Sequence, residues 1–200
     1  MAEPIDFYFD YSSPYGYFAG EKIDALAARH GRTVRWRPFL LGVAFKATGG
    51  APLPQVPIKG PYHVHDFART ARYLGVPYRQ PPKFPISSVA PTRAFYWLDA
   101  SDPARAVALA RALYRAYFVD GTDISDPEQT ARVAESLGLD GAAVRAGMAD
   151  AAVKDRTKAE VDAAIARGAF GSPYIVVDGE PFWGSDRLDQ VERWLATGGW

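Results

Sequence analysis

Ile5-Asp6-Phe7-Tyr8-Phe9-Asp10-Tyr11-Ser12-Ser13-Pro14-Tyr15 is the stretch on which the fold turns. Residues 5 to 10 alternate and are rich in aromatics, as a strand is, and Ser12-Ser13-Pro14 then supplies helix-start chemistry, with proline tolerated at the first helical position. A strand runs straight into a helix. Ala19, Ile23, Leu26 and Ala27 carry that helix onward at helical spacing to a stop at His30-Gly31, after which Thr33 to Phe39 reads as a second strand. Such a strand-helix-strand unit implies parallel strands.

Beyond Leu40 the pattern changes. A Pro/Gly-rich loop around Gly49 to Pro61 leads to helical segments near His65 to Leu74, Ala90 to Asp99, Pro103 to Phe118, Pro127 to Leu137 and Val153 to Ala166. Strand signals return at Tyr174-Ile175-Val176-Val177. The turn Asp178-Gly179, a short strand Pro181-Phe182-Trp183 and a last helix from Asp186 to Leu195 follow. The class is α/β. Residues 1–42 and 168–200 form one discontinuous domain in this reading, and residues 43–167 form an inserted helical domain.

The 200 residues are 48% hydrophobic, enough for one good core or a small domain carrying a large insertion. No run approaches the roughly 18 to 20 apolar residues of a spanning helix, and Met1-Ala2-Glu3-Pro4 lacks the features of a secretory signal, so a soluble cytoplasmic protein is expected. Net charge is zero, yet residues 1–93 carry 12 Lys+Arg against 6 Asp+Glu, and residues 94–200 carry 11 against 17. A basic front half attracts anions, but Arg35 and Arg37 alternate with Trp36 as solvent-facing strand residues do. Without a dense basic stripe, nucleic acid is not an expected partner. The chain has no cysteine, so any sulfur chemistry must come from a ligand.

Four places invite chemistry. Ser13 stands where free backbone N–H groups and the positive end of a helix dipole favour an anion, although such a serine by default only caps the helix. Phe170-Gly171-Ser172-Pro173 opens the returning strand, and its X-Pro bond is a candidate for the cis form, with backbone left free to bind. Trp183-Gly184-Ser185-Asp186 offers a carboxylate, a hydroxyl and helix N–H groups, a set that suits a zwitterionic amino-acid head as well as plain capping. His63 and His65 do not share a helical face and no third ligand is near in sequence, so no metal is expected. Ser13 also lacks the flanking glycines of a nucleophile elbow, which argues against a serine hydrolase.

In combination and order these motifs resemble the 2-hydroxychromene-2-carboxylate isomerases, kin to kappa-class glutathione transferases and to disulfide oxidoreductases with a helical insertion. The carriers are residues 7 to 15, Leu41-Gly42 with Phe45-Lys46-Ala47-Thr48-Gly49, Phe84-Pro85-Ile86, and Gly168 to Pro173 followed by Gly179 to Leu188. The resemblance implies a thioredoxin-like fold with a large all-helical insertion and glutathione as cofactor. Ser13-Pro14-Tyr15-Gly16 replaces the Cys-x-x-Cys of the oxidoreductases, so disulfide exchange is excluded.

Carried over by motif, Ser13 bonds the glutathione sulfur and is catalytic. Ser172 pairs with the peptide through its backbone, Trp183, Gly184, Ser185 and Asp186 hold the γ-glutamyl end, and Lys46 meets the carboxylate of a small aromatic substrate. The implied reaction is reversible thiolate addition, ring opening, bond rotation and loss of thiolate, giving trans-o-hydroxybenzylidenepyruvate. A homodimer is implied by dimeric relatives. Gly50 and Ser87 stand where the family often has Asn, which puts the substrate in doubt but not the glutathione site. A kappa-like transferase and a non-catalytic glutathione- or peptide-binding module are the rival readings.

Overall fold

The computed structural model describes residues 3–200. In chain order its elements are β1 (Ile5–Phe9), α1 (Pro14–Gly20), α2 (Ile23–Arg29), β2 (Val34–Pro38), α3 (Leu41–Thr48), α4 (Lys59–Leu74) and α5 (Val89–Asp99). They continue with α6 (Pro103–Phe118), α7 (Pro127–Ser136), α8 (Gly141–Ala149), α9 (Ala151–Ala166), β3 (Tyr174–Val177), β4 (Glu180–Trp183) and α10 (Leu188–Thr197). Short 3₁₀ turns at Leu53–Gln55 and Ser185–Arg187 precede α4 and α10. The sheet order is β2-β1-β3-β4, with β1 parallel to β2 and antiparallel to β3, and β3 antiparallel to β4.

Every residue of the central strand β1 is buried, because helices cover both faces of the sheet. On one face Phe7 and Phe9 meet the Trp36 ring edge-on at 4.9 and 5.2 Å between centroids. Phe9 also touches Phe95 of α5 and Tyr114 of α6, so the inserted helices share a core with the sheet. On the other face Tyr8 packs with Phe39 and Tyr174 beneath Val161 and Ala164 of α9.

Arg35 is exposed and Arg37 half-buried, as a solvated strand face requires, yet both are tied to a buried carboxylate that the sequence reading did not pair with them. Their Nε atoms donate to Oδ1 of buried Asp6 at 2.6 and 2.8 Å, and Arg167 adds a bond to Oδ2 at 3.3 Å. Burial alone raises the Asp6 pKa, but the hydrogen bonds from Arg35 and Arg37 outweigh it and hold the carboxyl below the usual range.

Several element boundaries differ from the sequence reading. The first helix breaks after Gly20: the Lys22 N–H donates to Ala19 in a tightened turn, and Trp36 lies 3.0 Å from where a Gly20 side chain would begin. The stretch Leu41–Thr48 is helical as α3, and α4 starts at Lys59 rather than His65. Gly60 and Pro61 read as loop residues, yet a first helical turn has no N–H bonds for proline to break. The sequence reading missed α8 because Gly141 and Gly147 weaken its helical signal. Asp140 caps it, and Gly147 leaves room for the Trp97 ring, 2.2 Å from a would-be side chain.

Candidate active site

The end of β1, α1, α3, α4 and the segments flanking β3 and β4 enclose a cavity of about 810 Å³. That lies toward the upper end of the roughly 300–1,000 Å³ of small-molecule sites. Its lining mixes polar residues, among them Ser13, Ser172, Ser185, Asp66 and Asp186, with the apolar side chains of Tyr15, Phe45, Phe67, Phe84, Ile86 and Trp183.

Ser13 is buried at the centre. It is the N-cap of α1: its Oγ accepts from the Gly16 N–H at 3.0 Å and donates to the Ser172 carbonyl at 2.8 Å. Ser172 in turn accepts the Asp10 N–H on its hydroxyl at 3.0 Å, and the Tyr114 hydroxyl donates to the Asp10 carbonyl at 3.1 Å. Gly16 permits this crowding, since a side chain there would begin 2.5 Å from Ser172 Oγ and 2.8 Å from Tyr114 Oη.

Asp10 ties three elements to the site. Its carboxylate accepts from the Ser12 N–H at 2.7 Å, the Leu41 N–H at 2.9 Å and the Ser88 hydroxyl at 2.6 Å. Complete burial pushes its pKa up, and those three donors restrain the rise. Sequence reasoning assigned Asp10 no role in the site, because its partners come from residues 31 and 78 positions away.

The Ser172–Pro173 bond is cis, as is Phe84–Pro85, which sequence reasoning did not single out. Ile86, just after the latter, donates its N–H to Ser12 Oγ at 3.0 Å. Gly184 has φ +116°, a conformation that favours glycine, and its N–H donates to the Pro173 carbonyl at 3.1 Å. The expected capping by Ser185 or Asp186 does not occur. Both lie in a 3₁₀ turn without side-chain caps, and α10 starts two residues after Asp186. Asp186 is exposed and, among the described residues, pairs only with Arg187, at 3.5 Å. Trp183 packs on Phe170 at 4.8 Å, with its Nε1 2.2 Å from the position of a Gly171 side chain.

The cavity therefore brings together Ser13, Ser172, Trp183, Gly184, Ser185 and Asp186. Lys46 is not among its lining residues; it is exposed on α3, whereas Phe45 beside it faces inward. The basic side chains that line the cavity are Lys59, His63 and Arg187. Tyr15 donates its hydroxyl to Asp66, and Thr70 and Arg69 also donate to that carboxylate. Burial raises the Asp66 pKa, but these three donors prevail and lower it. No group of three or more metal-ligating side chains occurs among the described residues.

The ligand-binding requirements of a glutathione-sized peptide can be tested on this geometry. The Ser172 backbone N–H has no partner among the described residues, and the absence of side chains at Gly171 and Gly184 lets Trp183 and Asp186 approach the backbone closely.

Residues 4–196 match the DSBA-like thioredoxin domain. The chain is 33% identical to a 2-hydroxychromene-2-carboxylate isomerase of Sphingobium xenophagum over 98% of its own length and 99% of that protein. It is 31% identical to glutathione S-transferase kappa 2 of Caenorhabditis elegans over 96% and 91%. A solved 2-hydroxychromene-2-carboxylate isomerase superposes with a TM-score of 0.87 at 29% identity, covering 97% of this chain and 95% of the other.

Proposed function

The chain belongs to the DSBA-like thioredoxin domain family and, within it, to the group of 2-hydroxychromene-2-carboxylate isomerases and kappa-class transferases. From that premise we propose that it is a glutathione-dependent isomerase interconverting 2-hydroxychromene-2-carboxylate and trans-o-hydroxybenzylidenepyruvate, or a closely related aromatic compound. The observation that carries the reading is the buried hydroxyl of Ser13, in a cavity of a chain without cysteine.

Bound glutathione supplies the sulfur nucleophile that this chain lacks. Ser13 would donate its hydroxyl proton to the thiolate in place of the Ser172 carbonyl, and hydrogen bonding to the charged form favours that form. Ser172 offers its free N–H to the peptide backbone, while Trp183, Gly184, Ser185 and Asp186 receive the γ-glutamyl head. Asp10 holds the Ser12 turn and the starts of α3 and α5 in place around Ser13. The aromatic side chains of the lining, Tyr15, Phe45, Phe67 and Phe84, suit the ring of the substrate. Cytoplasm, where glutathione is abundant, is the compartment that suits this chemistry. No helix among the described residues is long and apolar enough to cross a membrane.

The test is an assay of both aromatic compounds with and without glutathione, following glutathione concentration in parallel. Interconversion that requires glutathione and leaves its concentration unchanged supports the isomerase. Stoichiometric loss of glutathione favours the kappa-like transferase, and absence of turnover with retained glutathione binding leaves a binding module.

A further inference from the structure

Residues 49–58 join α3 to α4 and run along the cavity, which Pro52, Leu53 and Pro54 line. Both flanking helices are tied down. Asp10 holds the Leu41 N–H at the start of α3, while the bond from Tyr15 to Asp66 and the packing of Phe67 on Phe84 hold α4. The strap between them is not held in this way. None of residues 49–58 is buried, and every hydrogen bond they make among the described residues stays within Phe45 to Gly60. Few buried contacts and purely local hydrogen bonds mark a segment of low local stability.

At its α4 end the strap is strained. Ile58 has φ +68° and ψ −46°, and the Lys59 N–H donates to the Pro57 carbonyl at 2.7 Å, which makes Pro57-Ile58-Lys59 a γ-turn of the rare, positive-φ kind. A β-branched residue suits that backbone poorly, and the Ile58 side chain is 93% exposed, so no packing compensates. What opposes the strain is a seat on α4. The Pro54 carbonyl oxygen lies 2.3 Å from where a Gly60 side chain would begin, an approach that glycine permits. At the α3 end stands Gly49, left-handed at φ +72°, with Gly50 beside it. Strain of this kind collects at ligand clamps and switch segments.

We propose that residues 49–58 are a lid on the cavity, hinged at Gly49-Gly50 and at Ile58. In the seated state, which the structure shows, Pro54 rests on Gly60 and the Ile58 turn is strained. In the lifted state that turn relaxes and the cavity opens between α3 and α4. A ligand that touches Pro52, Leu53 and Pro54 favours the seated state, because the lifted state lacks those contacts. The lid rests on the strap and its seat, so it stands apart from the isomerase reading.

Distances between two spin labels test the lid. The chain has no cysteine, so Gln55→Cys on the strap and Glu180→Cys on β4, both exposed, take maleimide nitroxides at those two positions alone. The free protein should show two populations, one at the distance of the structure and one displaced. Ile58→Gly removes the strain of the seated state and should raise the ratio of seated to displaced about fivefold or more, whereas Gly60→Ala blocks the seat and should lower it by about as much. Opposite shifts are the expected result, and any other pattern, an unchanged distribution included, overturns the proposal. Should Gly60→Ala fail to fold, Ile58→Gly decides alone: enrichment of the seated distance sustains the lid, and no change or a shift away from it rejects the lid. Glutathione, its binding measured by calorimetry, should enrich the seated distance in the parent, and bound glutathione that leaves the distribution unchanged also overturns the proposal. If no glutathione binds, the isomerase reading fails and the two variants still decide the lid.

Discussion

The hydroxyl of Ser13 donates its proton to the carbonyl oxygen of Ser172 at 2.8 Å, across 159 positions of sequence. A serine hydroxyl has a single proton to give. Any thiolate that Ser13 stabilises must therefore take this bond from Ser172, whose oxygen keeps a second lone pair for a peptide N–H. On the proposed function, Ser13 would exchange this internal bond for one to bound sulfur.

Ser13→Ala should leave glutathione affinity nearly unchanged, because the ends of the peptide are held elsewhere, while raising the pKa of the bound thiol and cutting turnover. A hydrogen bond to a charged group contributes roughly 1.5–3 kcal/mol, or about 1 to 2 in thiol pKa. The mutant also loses its bond to the Gly16 N–H, a cap worth about 1 kcal/mol of fold stability. Ultraviolet titration of the bound thiolate, with turnover at saturating glutathione, separates the two roles. An unchanged titration curve and an unchanged rate would leave Ser13 as a helix cap only.

Gly16→Ala decides whether the crowding around Ser172 matters. Helix propensity alone makes alanine stabilising at this position by about 0.5–1 kcal/mol. Its side chain would begin 2.5 Å from Ser172 Oγ and 2.8 Å from Tyr114 Oη, and overpacking of this kind costs typically about 1–3 kcal/mol. Net destabilisation in denaturant unfolding, together with weaker glutathione binding, is the expected outcome; a more stable variant would show that the Ser172 loop yields freely.

Much of this arrangement was legible in the sequence because it follows local rules. Strand alternation in residues 5–10, serine and proline at a helix start, and the glycine turn at 178–179 each act within a few residues. The misses have a different physics. Asp10 joins three elements through donors far apart in sequence, and Arg35 and Arg37 look like surface charges until Asp6 is seen buried beneath them. The α8 helix hides behind Gly147, which tertiary packing against Trp97 requires, and Gly141, which lies against Glu135. Lys46 followed the motif, whereas the helical phase of α3 turns Phe45 inward and leaves its neighbour outside.

Acid stability should depend on Asp6. Its folded pKa is depressed, so its contribution is fully present above the unfolded pKa and is lost as pH falls through the folded value. Melting temperature should therefore drop as pH falls from the ordinary aspartate range into more acidic solution. Asp6→Asn removes the charge that Arg35, Arg37 and Arg167 surround, and should cost about 2 kcal/mol at neutral pH. It should also flatten the acid limb of the profile. A variant whose acid limb remains as steep as the parent's would assign the acid dependence to other carboxylates.

Asp186 offers the cleanest test of the glutathione site, because the fold scarcely needs it. Its side chain is 72% exposed and, among the described residues, caps no helix and pairs only with the adjacent Arg187. Asp186→Ala should thus change the stability of the free protein by no more than about 0.5 kcal/mol. Glutathione at about a hundred times its dissociation constant should stabilise the parent by about 2.7 kcal/mol through mass action. If the carboxylate receives the ammonium of the γ-glutamyl head, its loss should weaken binding about tenfold, and the same glutathione concentration should then add only about 1.4 kcal/mol. Thermal melts of both proteins, with and without glutathione, measure the difference directly. Equal shifts in parent and variant would remove Asp186 from the site, and no shift in the parent at millimolar glutathione would remove glutathione itself.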